Sequence, residues 1–174
     1  MKIAIIGYSG SGKSTLAEII GKKYSIPVLH LDKVNFLPGW VERNIDESRR
    51  IAEEFMKKDS WVIDGNYGKF FQKERLEAAD RIIFLDFNRF SCLLRAYRRY
   101  IIHKGKTRSS AAEGCIEKFD GVFIRWILAD GRTKAKRDYF KSVLKMHGHK
   151  TVVIKNQRQL DLFLNRRMDY YVMG

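Results

Sequence analysis

The chain has 174 residues, of which 45% are hydrophobic and only two are proline. This composition excludes a disordered chain and, with the length, predicts one globular domain over residues 1–174. The formal net charge is +14, so phosphate groups or polyanions are expected ligands. Apolar runs are too short for a membrane span or a signal peptide, and Cys92 and Cys115 lack metal-binding spacing. We expect a cytoplasmic protein with reduced thiols and no membrane partner, as a monomer or weak homodimer.

Five short strand-like runs alternate with helical stretches, which predicts an α/β fold with a parallel sheet. The strands are expected at about residues 2–6, 28–31, 60–64, 81–86 and 151–154. One helix is expected to begin at Lys13, and the others to span about residues 46–58, 70–79, 89–102, 118–129, 134–147 and 157–167. Polar and small residues at 103–116 predict a mobile loop.

The most specific motif follows the first predicted strand. Residues 7–14 read Gly-Tyr-Ser-Gly-Ser-Gly-Lys-Ser, which matches the phosphate-loop pattern G-x-x-x-x-G-K-S at every position. Such a loop surrounds a phosphate chain with backbone N–H groups at a helix N-terminus. Lys13 is predicted to neutralise the β- and γ-phosphates of ATP, with GTP as an alternative, and Ser14 to coordinate Mg²⁺. The predicted nucleotide-binding residues are Gly7, Ser9, Gly10, Ser11, Gly12, Lys13, Ser14 and Thr15.

Three acidic residues follow predicted strands and therefore face the ligand-binding edge of a parallel sheet. Asp64 and Asp86 each end a hydrophobic run, and either can supply the carboxylate that Mg²⁺ requires. Asp64 is favoured because a Gly-Asn pair after it allows a sharp turn. Asp32 is a catalytic candidate that would orient an acceptor hydroxyl or take its proton, with helix capping or a surface ion pair as alternatives. His30 is interpreted as a packed strand residue.

The positive charge lies in the second half of the chain, where residues 81–174 contain 21 Lys and Arg against 8 Asp and Glu. Arginines stabilise the charge that develops during phosphoryl transfer, and a loop hinged near Gly105 and Gly131 could close them over ATP. A solvated helix face and a nucleic-acid surface are the alternatives; the second is not favoured, because no DNA- or RNA-binding motif is present. The predicted catalytic arginines are Arg95, Arg99, Arg132 and Arg137.

Aromatic residues form two predicted groups. The first group lies in loops beyond strand ends, where it would line an acceptor pocket, stack on a base or cover the edge of the core. It consists of Phe36, Trp40 and Tyr67. The second group is predicted to lie in the core, and consists of Trp61, Phe84, Phe123 and Trp126.

Specific strings extend these motifs over nearly the full length. They are residues 7–15, 30–32, 36–40 (Phe-Leu-Pro-Gly-Trp), 61–67 (Trp-Val-Ile-Asp-Gly-Asn-Tyr), 81–90, 105–108, Trp126 with 130–133 (Asp-Gly-Arg-Thr), and 155–156. On these strings the chain resembles the adenylate-kinase-like P-loop proteins often named DNA topology modulation proteins. The resemblance implies a three-layer P-loop sandwich with a five-stranded parallel sheet in the order 2-3-1-4-5. It also implies a nucleotide-kinase-like core with a helical lid inserted at residues 103–132.

The resemblance implies that Asp64 serves the magnesium ion and that Asp32 and Trp40 lie on the acceptor side. The acceptor region is shorter than in adenylate kinases, which favours a nucleoside or a small hydroxyl compound over AMP. The expected function is therefore ATP-dependent phosphoryl transfer to a nucleotide, nucleoside or other small hydroxyl compound. A nucleotide-dependent, DNA-binding regulatory ATPase that modulates DNA topology is the alternative.

Overall fold

A parallel sheet of five strands lies at the centre of the computed structural model, which describes residues 1–169 and, among these, all side chains except those of residues 166 and 167. In chain order the strands of the protein are β1 (Lys2–Gly7), β2 (Val28–His30), β3 (Phe36–Leu37), β4 (Val41–Glu42), β5 (Trp61–Asp64), β6 (Arg81–Leu85) and β7 (Thr151–Ile154). The main sheet has the order β2-β5-β1-β6-β7, and β3 and β4 form a separate antiparallel hairpin. Without the hairpin, this is the predicted order 2-3-1-4-5, which is confirmed.

The strand register brings the functional segments to one edge of the sheet. Ile5 of β1 pairs with Asp64 of β5, and Gly7 pairs with Leu85 of β6. His30 of β2 pairs with Asp64 from the other side. Because all five strands run parallel, the loops after β1, β2 and β5 leave the sheet at the same edge, where ligands bind in open α/β sheets.

Eight α-helices complete the three-layer fold of the described part of the chain. They are α1 (Lys13–Tyr24), α2 (Leu31–Asn35), α3 (Ile45–Met56), α4 (Gln72–Ala78), α5 (Arg89–His103), α6 (Gly121–Leu128), α7 (Lys134–His147) and α8 (Gln157–Leu162). Helix α8 continues as a π-helical turn at Phe163–Arg167, and short 3₁₀ turns lie at Pro38–Trp40, Asp130–Arg132 and Gly148–Lys150. Within residues 1–169, no helix combines the length and the apolar character that crossing a bilayer requires.

The sequence missed α2 and the hairpin, and it placed the start of α6 too early. Helix α2 has five residues and each hairpin strand has two, so neither carries a readable hydrophobic period. Helix α6 begins only at Gly121 because the Asp120 carboxylate caps it, accepting a hydrogen bond from the Phe123 backbone N–H at 2.8 Å.

The core is formed by the apolar faces of the sheet and its helices. Trp61 and Phe84 are buried, as predicted, and Phe84 stacks on Phe140 with ring centroids 4.5 Å apart. Phe123 packs against this core. The expectation that Trp126 is a core residue is wrong, because its side chain is 42% exposed. Both cysteines are free and buried.

A buried arginine organises the connection between β5 and α4. Arg75 is 1% exposed. Its guanidinium donates to the carbonyl oxygens of Phe70, Tyr67 and Gly65 at 2.8, 3.0 and 3.4 Å. Burial lowers the pKa of Arg75 to about 10, so the side chain remains charged at neutral pH. Arg75 therefore fixes the path of the chain that follows Asp64.

Replacing this arginine should destabilise the fold. We expect Arg75→Met to lower the free energy of unfolding by about 3 kcal/mol, because buried carbonyl oxygens lose their donors. The matched control is Lys73→Met in the same helix, where the side chain is 81% exposed. Urea unfolding measures both variants. Equal stability of the two variants would contradict the role given to Arg75.

Candidate active site

A cavity of about 1250 Å³ opens beside the phosphate-loop motif. Its walls come from the loop after β1, from α2, from the turn after β5, and from α5, α6 and α7. The volume is large enough for a nucleotide and a second small molecule. The sequence-predicted residues that line it are Ser9, Gly10, Gly12, Lys13, Ser14, Thr15, Asp32, Phe36, Trp40, Asp64, Tyr67, Arg95 and Arg99.

The phosphate loop is held very close to its neighbours in the fold. Gly7 has φ 144°, and a Cβ atom there would lie 2.5 Å from the Leu85 carbonyl oxygen. Gly10 has φ 78°, and its Cβ would lie 2.5 Å from the Cys92 carbonyl oxygen. Real Cβ atoms do not approach an oxygen so closely, and positive φ values also favour glycine. Both glycines are thus required by the fold.

Asn66 fixes the start of this loop. Its side-chain amide donates to the Gly7 carbonyl oxygen at 2.6 Å, and its amide oxygen accepts from the Gly7 N–H at 3.1 Å. The residue after Asp64–Gly65 therefore clamps the end of β1. The sequence showed Asn66 only as part of a turn, because a contact across 59 residues leaves no local pattern.

Lys13 is the first residue of α1 and bends back over the loop. Its ammonium group donates to the Tyr8 carbonyl oxygen at 3.0 Å. Burial lowers the pKa of Lys13, while the charges of Asp64 and Asp32 oppose the shift. An ammonium group beside the N-terminus of a helix favours the binding of phosphate oxygens.

Ser14 and Asp64 form a hydrogen-bonded pair beside Lys13. The Ser14 hydroxyl donates to Asp64 Oδ2 at 2.8 Å, and Asp64 is buried. A hydroxyl and one carboxylate fit Mg²⁺, which usually takes few protein oxygens and completes its shell with water and phosphate. Asp86, the other carboxylate considered for Mg²⁺, is not among the described residues that line the cavity. Burial raises the pKa of Asp86, with Lys155 and Arg132 opposing the shift.

His30 contacts the same carboxylate from the other side. It is buried, as the interpretation of a packed strand residue requires, but its Nδ1 also lies 2.6 Å from Asp64 Oδ1. The sequence gave no sign of this contact, because it depends on the register between β2 and β5.

Asp32 faces the cavity from α2 and is oriented by a tyrosine. The Tyr67 hydroxyl donates to Asp32 Oδ1 at 2.8 Å. Burial and the negative charge of Asp32 raise the pKa of Tyr67, so the tyrosine remains a hydrogen-bond donor. Phe36 and Trp40 form an adjoining wall, with ring centroids 5.2 Å apart at 74°. The predicted aromatic group therefore shares one cavity with Asp32.

The structure brings two of the four predicted catalytic arginines to the cavity. Arg95 and Arg99 line it, and Arg95 lies against Gly12 while donating to Gln157 Oε1 at 2.6 Å. Within residues 1–169, Arg132 and Arg137 are not among the lining residues.

Arg132 is turned away because other groups bind its donors. Its guanidinium lies 3.7 Å from the Tyr8 ring centroid and donates to the carbonyl oxygens of Phe87 at 2.8 Å and Ile127 at 3.1 Å. Arg137 donates to the Arg132 carbonyl oxygen. In this arrangement the two arginines connect the phosphate loop with α6 and α7, and neither guanidinium points into the cavity.

A buried carboxylate, Glu117, joins α5 to the loop at residues 104–120. Its side chain is 3% exposed and pairs with Arg99 Nη2 at 2.6 Å. Its second oxygen accepts from Arg108, which also donates to the Ser110 hydroxyl at 3.0 Å. Burial and the Arg108 charge lower the pKa of Arg99, against the influence of Glu117. The sequence missed Glu117 and Arg108, because nothing local distinguishes them from surface charges.

The loop at 104–120 has a small core of its own. Thr107 and Ile116 form an antiparallel bridge, and Ala111, Ala112 and Cys115 are buried together. Phe36 and Trp40 pack against this cluster, and the Trp40 indole donates to the Ile116 carbonyl oxygen at 2.9 Å. The segment that the sequence predicted as a mobile loop is thus packed against the aromatic cavity wall formed by Phe36 and Trp40.

Trp126 lies over the phosphate loop instead of in the core. Its indole N–H donates to the Ser9 hydroxyl at 3.0 Å. The Lys136 ammonium lies 3.5 Å from the indole ring centroid, within the range of a cation–π contact. A helical period of apolar residues made the core assignment plausible, and only the tertiary arrangement shows that this face of α6 borders the cavity.

Removing the Glu117 charge should loosen the loop. We expect Glu117→Gln to lower the free energy of unfolding by about 2 kcal/mol, because Arg99 and Arg108 are then left close together without a counter-charge. Trypsin should also cleave within residues 104–118 faster than in the unmodified protein. Glu113→Gln, at an exposed position of the same loop, is the control. If both variants match the unmodified protein, Glu117 does not hold the loop.

Comparison with known proteins places this geometry in a known fold. No protein-family model and no curated protein matches the chain. Among solved structures it is similar to a shikimate kinase from Bacteroides thetaiotaomicron, with a TM-score of 0.52 and 13% identity over 100% of this chain and 99% of that one. An uncharacterized protein from Eubacterium ventriosum has a TM-score of 0.50 and 14% identity over the same shares. The chain thus has an α/β fold of the P-loop, nucleotide-kinase-like type.

Proposed function

We propose that the chain is an ATP-dependent phosphotransferase that acts on a small molecule with a hydroxyl group, such as a nucleotide or nucleoside. One observation carries the proposal: Lys13, the Ser14–Asp64 pair and Asp32 line the same cavity. A phosphate loop alone would suit any nucleotide-binding protein. A second carboxylate, oriented by Tyr67 and bordered by aromatic side chains, adds what a phosphoryl acceptor needs.

The phosphate loop is proposed to bind the nucleotide, which is ATP, with GTP as the alternative. Backbone N–H groups of residues 9–15 would hold the phosphate chain, and Lys13 would neutralise the β- and γ-phosphates. Ser14 and Asp64 would hold Mg²⁺, which supplies positive charge to the phosphate oxygens when it is bound. Trp126, which borders the loop at Ser9, is proposed to cover this side of the nucleotide.

Asp32 is proposed to act on the acceptor. Transfer forms a bond between the acceptor oxygen and the γ-phosphorus and breaks the bond from that phosphorus to the oxygen that leaves with ADP. The hydroxyl proton passes to Asp32, while Tyr67 keeps the carboxylate in place. Phe36 and Trp40 would bind the apolar part of the acceptor.

Residues 103–132 are proposed to form the lid. Support comes from the small cluster of Ala111, Ala112 and Cys115, which is distinct from the main core, and from Gly105, which has φ 73° and nothing near its Cβ position. Closure would bring Arg108 over the phosphates, beside Arg99 on α5, and exclude water. Arg95, which already lies against Gly12, is proposed to act from α5.

A second function is favoured by the charge distribution. The excess of Lys and Arg in residues 81–174 suits a polyanion. We also propose that the chain belongs to the DNA topology modulation proteins, which its sequence strings resemble. In this alternative the protein is a DNA-binding regulatory ATPase. DNA-stimulated hydrolysis without a small acceptor would distinguish it from a kinase.

Loss of the Lys13 charge should weaken nucleotide binding. We expect Lys13→Ala to raise the Kd for Mg·ATP about tenfold or more, because a charge-assisted contact to phosphate is lost. Lys22→Ala, at an exposed position of the same helix, should keep the Kd of the unmodified protein. Isothermal titration calorimetry measures both. Equal affinity in the two variants would contradict nucleotide binding by this loop.

The kinase proposal is tested by ADP release from Mg·ATP with a panel of nucleosides, nucleotides and small hydroxyl compounds, and with supercoiled DNA in parallel. We expect one class of small acceptor to stimulate release. Asp32→Asn should then lower acceptor-dependent turnover by about 10²-fold or more, while the Kd for Mg·ATP stays close to that of the unmodified protein.

The control for this assay is Asp59→Asn, at an exposed position, which should keep full turnover. Stimulation by DNA alone would favour the regulatory ATPase. Full acceptor-dependent turnover in Asp32→Asn would remove Asp32 from the mechanism.

A further inference from the structure

We propose that His30 is a positioning residue for the magnesium-side carboxylate, and that Glu18 and Ser109 link it to the loop at 104–120. The inference rests on the proposed function, because that proposal assigns Asp64 to Mg²⁺. It adds a connection between the packed loop and the metal site that neither the phosphate-loop motif nor the fold supplies.

The first part of the connection is the contact between His30 and Asp64. The two residues are partners in the register of β2 and β5, and their side chains are 8% and 5% exposed. His30 Nδ1 lies 2.6 Å from Asp64 Oδ1, whereas the Ser14 hydroxyl donates to Oδ2 at 2.8 Å. Each carboxylate oxygen thus has a different partner. This arrangement blocks rotation of the carboxylate and leaves Oδ2 on the side of Ser14.

The second part of the connection runs from the imidazole to the loop. His30 Nε2 lies 3.7 Å from Glu18 Oε1, and the same oxygen accepts a hydrogen bond from the Ser109 hydroxyl at 2.7 Å. Glu18 lies one turn after Ser14 on α1, so both face this side of the helix. A continuous series of polar contacts therefore joins Ser109 in the loop to the proposed metal ligands.

The contacts have a consequence that simple packing would not have. Groups that hold a metal ligand usually change metal affinity by about tenfold or more when they are removed, because the ligand loses its fixed orientation. A buried histidine that only fills space would change stability without changing how much Mg²⁺ strengthens nucleotide binding. The ratio of the Kd for ATP without Mg²⁺ to the Kd for Mg·ATP therefore separates positioning from packing.

Two polar variants of similar size separate the contact made by His30 Nδ1 from the contact made by Nε2. The amide N–H of His30→Asn occupies the place of Nδ1 and keeps a donor for Asp64. The amide N–H of His30→Gln reaches the place of Nε2 and leaves Asp64 Oδ1 without its partner. His149→Asn, at an exposed position, is the control, and Ser109→Ala removes only the loop contact.

The experiment titrates ATP into the full chain by calorimetry, with and without Mg²⁺ at constant ionic strength. We expect the Kd ratio to fall about tenfold in His30→Gln and to stay near that of the unmodified protein in His30→Asn and His149→Asn. In Ser109→Ala we expect a fall of about threefold, since the loop contact acts through Glu18. The Kd for ATP without Mg²⁺ should be similar in all variants.

Several outcomes would overturn the inference. Equal ratios in His30→Gln and His30→Asn, whether both normal or both reduced, would show that the Nδ1 contact does not position Asp64. An unchanged ratio in Ser109→Ala would remove the link to the loop. If the unmodified protein does not bind Mg·ATP, the proposed function fails with the inference; if it binds Mg·ATP normally and the variants do not differ, only the inference fails.

Discussion

The close approach of the phosphate loop to β6 and α5 is the constraint on which the site depends. Gly7 lies against the Leu85 carbonyl and Gly10 against the Cys92 carbonyl, with no room for a side chain at either position. Because the loop is held between a strand and a helix, the N-terminus of α1 has a fixed direction. Lys13 and Ser14, the first residues of α1, are therefore held in fixed positions, and Arg95 can lie directly against Gly12.

The parallel sheet brings residues from neighbouring strands next to the phosphate loop. The register places His30, Asp64 and Ile5 side by side, so the carboxylate that contacts Ser14 comes from the neighbouring strand. Asn66, two residues beyond Asp64, then clamps Gly7. Strand pairing, the loop geometry and the proposed metal ligands are therefore interdependent. A shift of β5 by one residue would move Asp64 away from Ser14 and Asn66 away from Gly7.

Local signals in the sequence were sufficient for the fold class. The apolar runs and the phosphate-loop motif in its strand–loop–helix context predicted an α/β fold with a parallel sheet, whereas the strand order came only from the family resemblance. Asp64 and Asp32 could be selected as candidates because both follow a strand at the ligand edge. The hairpin at 36–42 was missed, because two-residue strands carry no period.

The remaining parts of the site depend on tertiary structure. The contact of His30 with Asp64 follows from register, and the pairing of Glu117 with Arg99 follows from how a loop folds back on α5. Trp126 was misassigned because an apolar helical period does not show whether a face borders the core or a cavity. Charge patterning alone also failed to distinguish Arg99, which lines the cavity, from Arg132, which binds backbone carbonyls elsewhere.

The fate of the γ-phosphoryl group tests the kinase assignment most directly. The protein would be incubated with ATP labelled at the γ-phosphate and with a pool of small metabolites, and the labelled products separated and identified by mass. A kinase transfers the label to an organic phosphomonoester, and that result is expected here. Label found only in inorganic phosphate, with or without the metabolite pool, would contradict the assignment and identify a hydrolase.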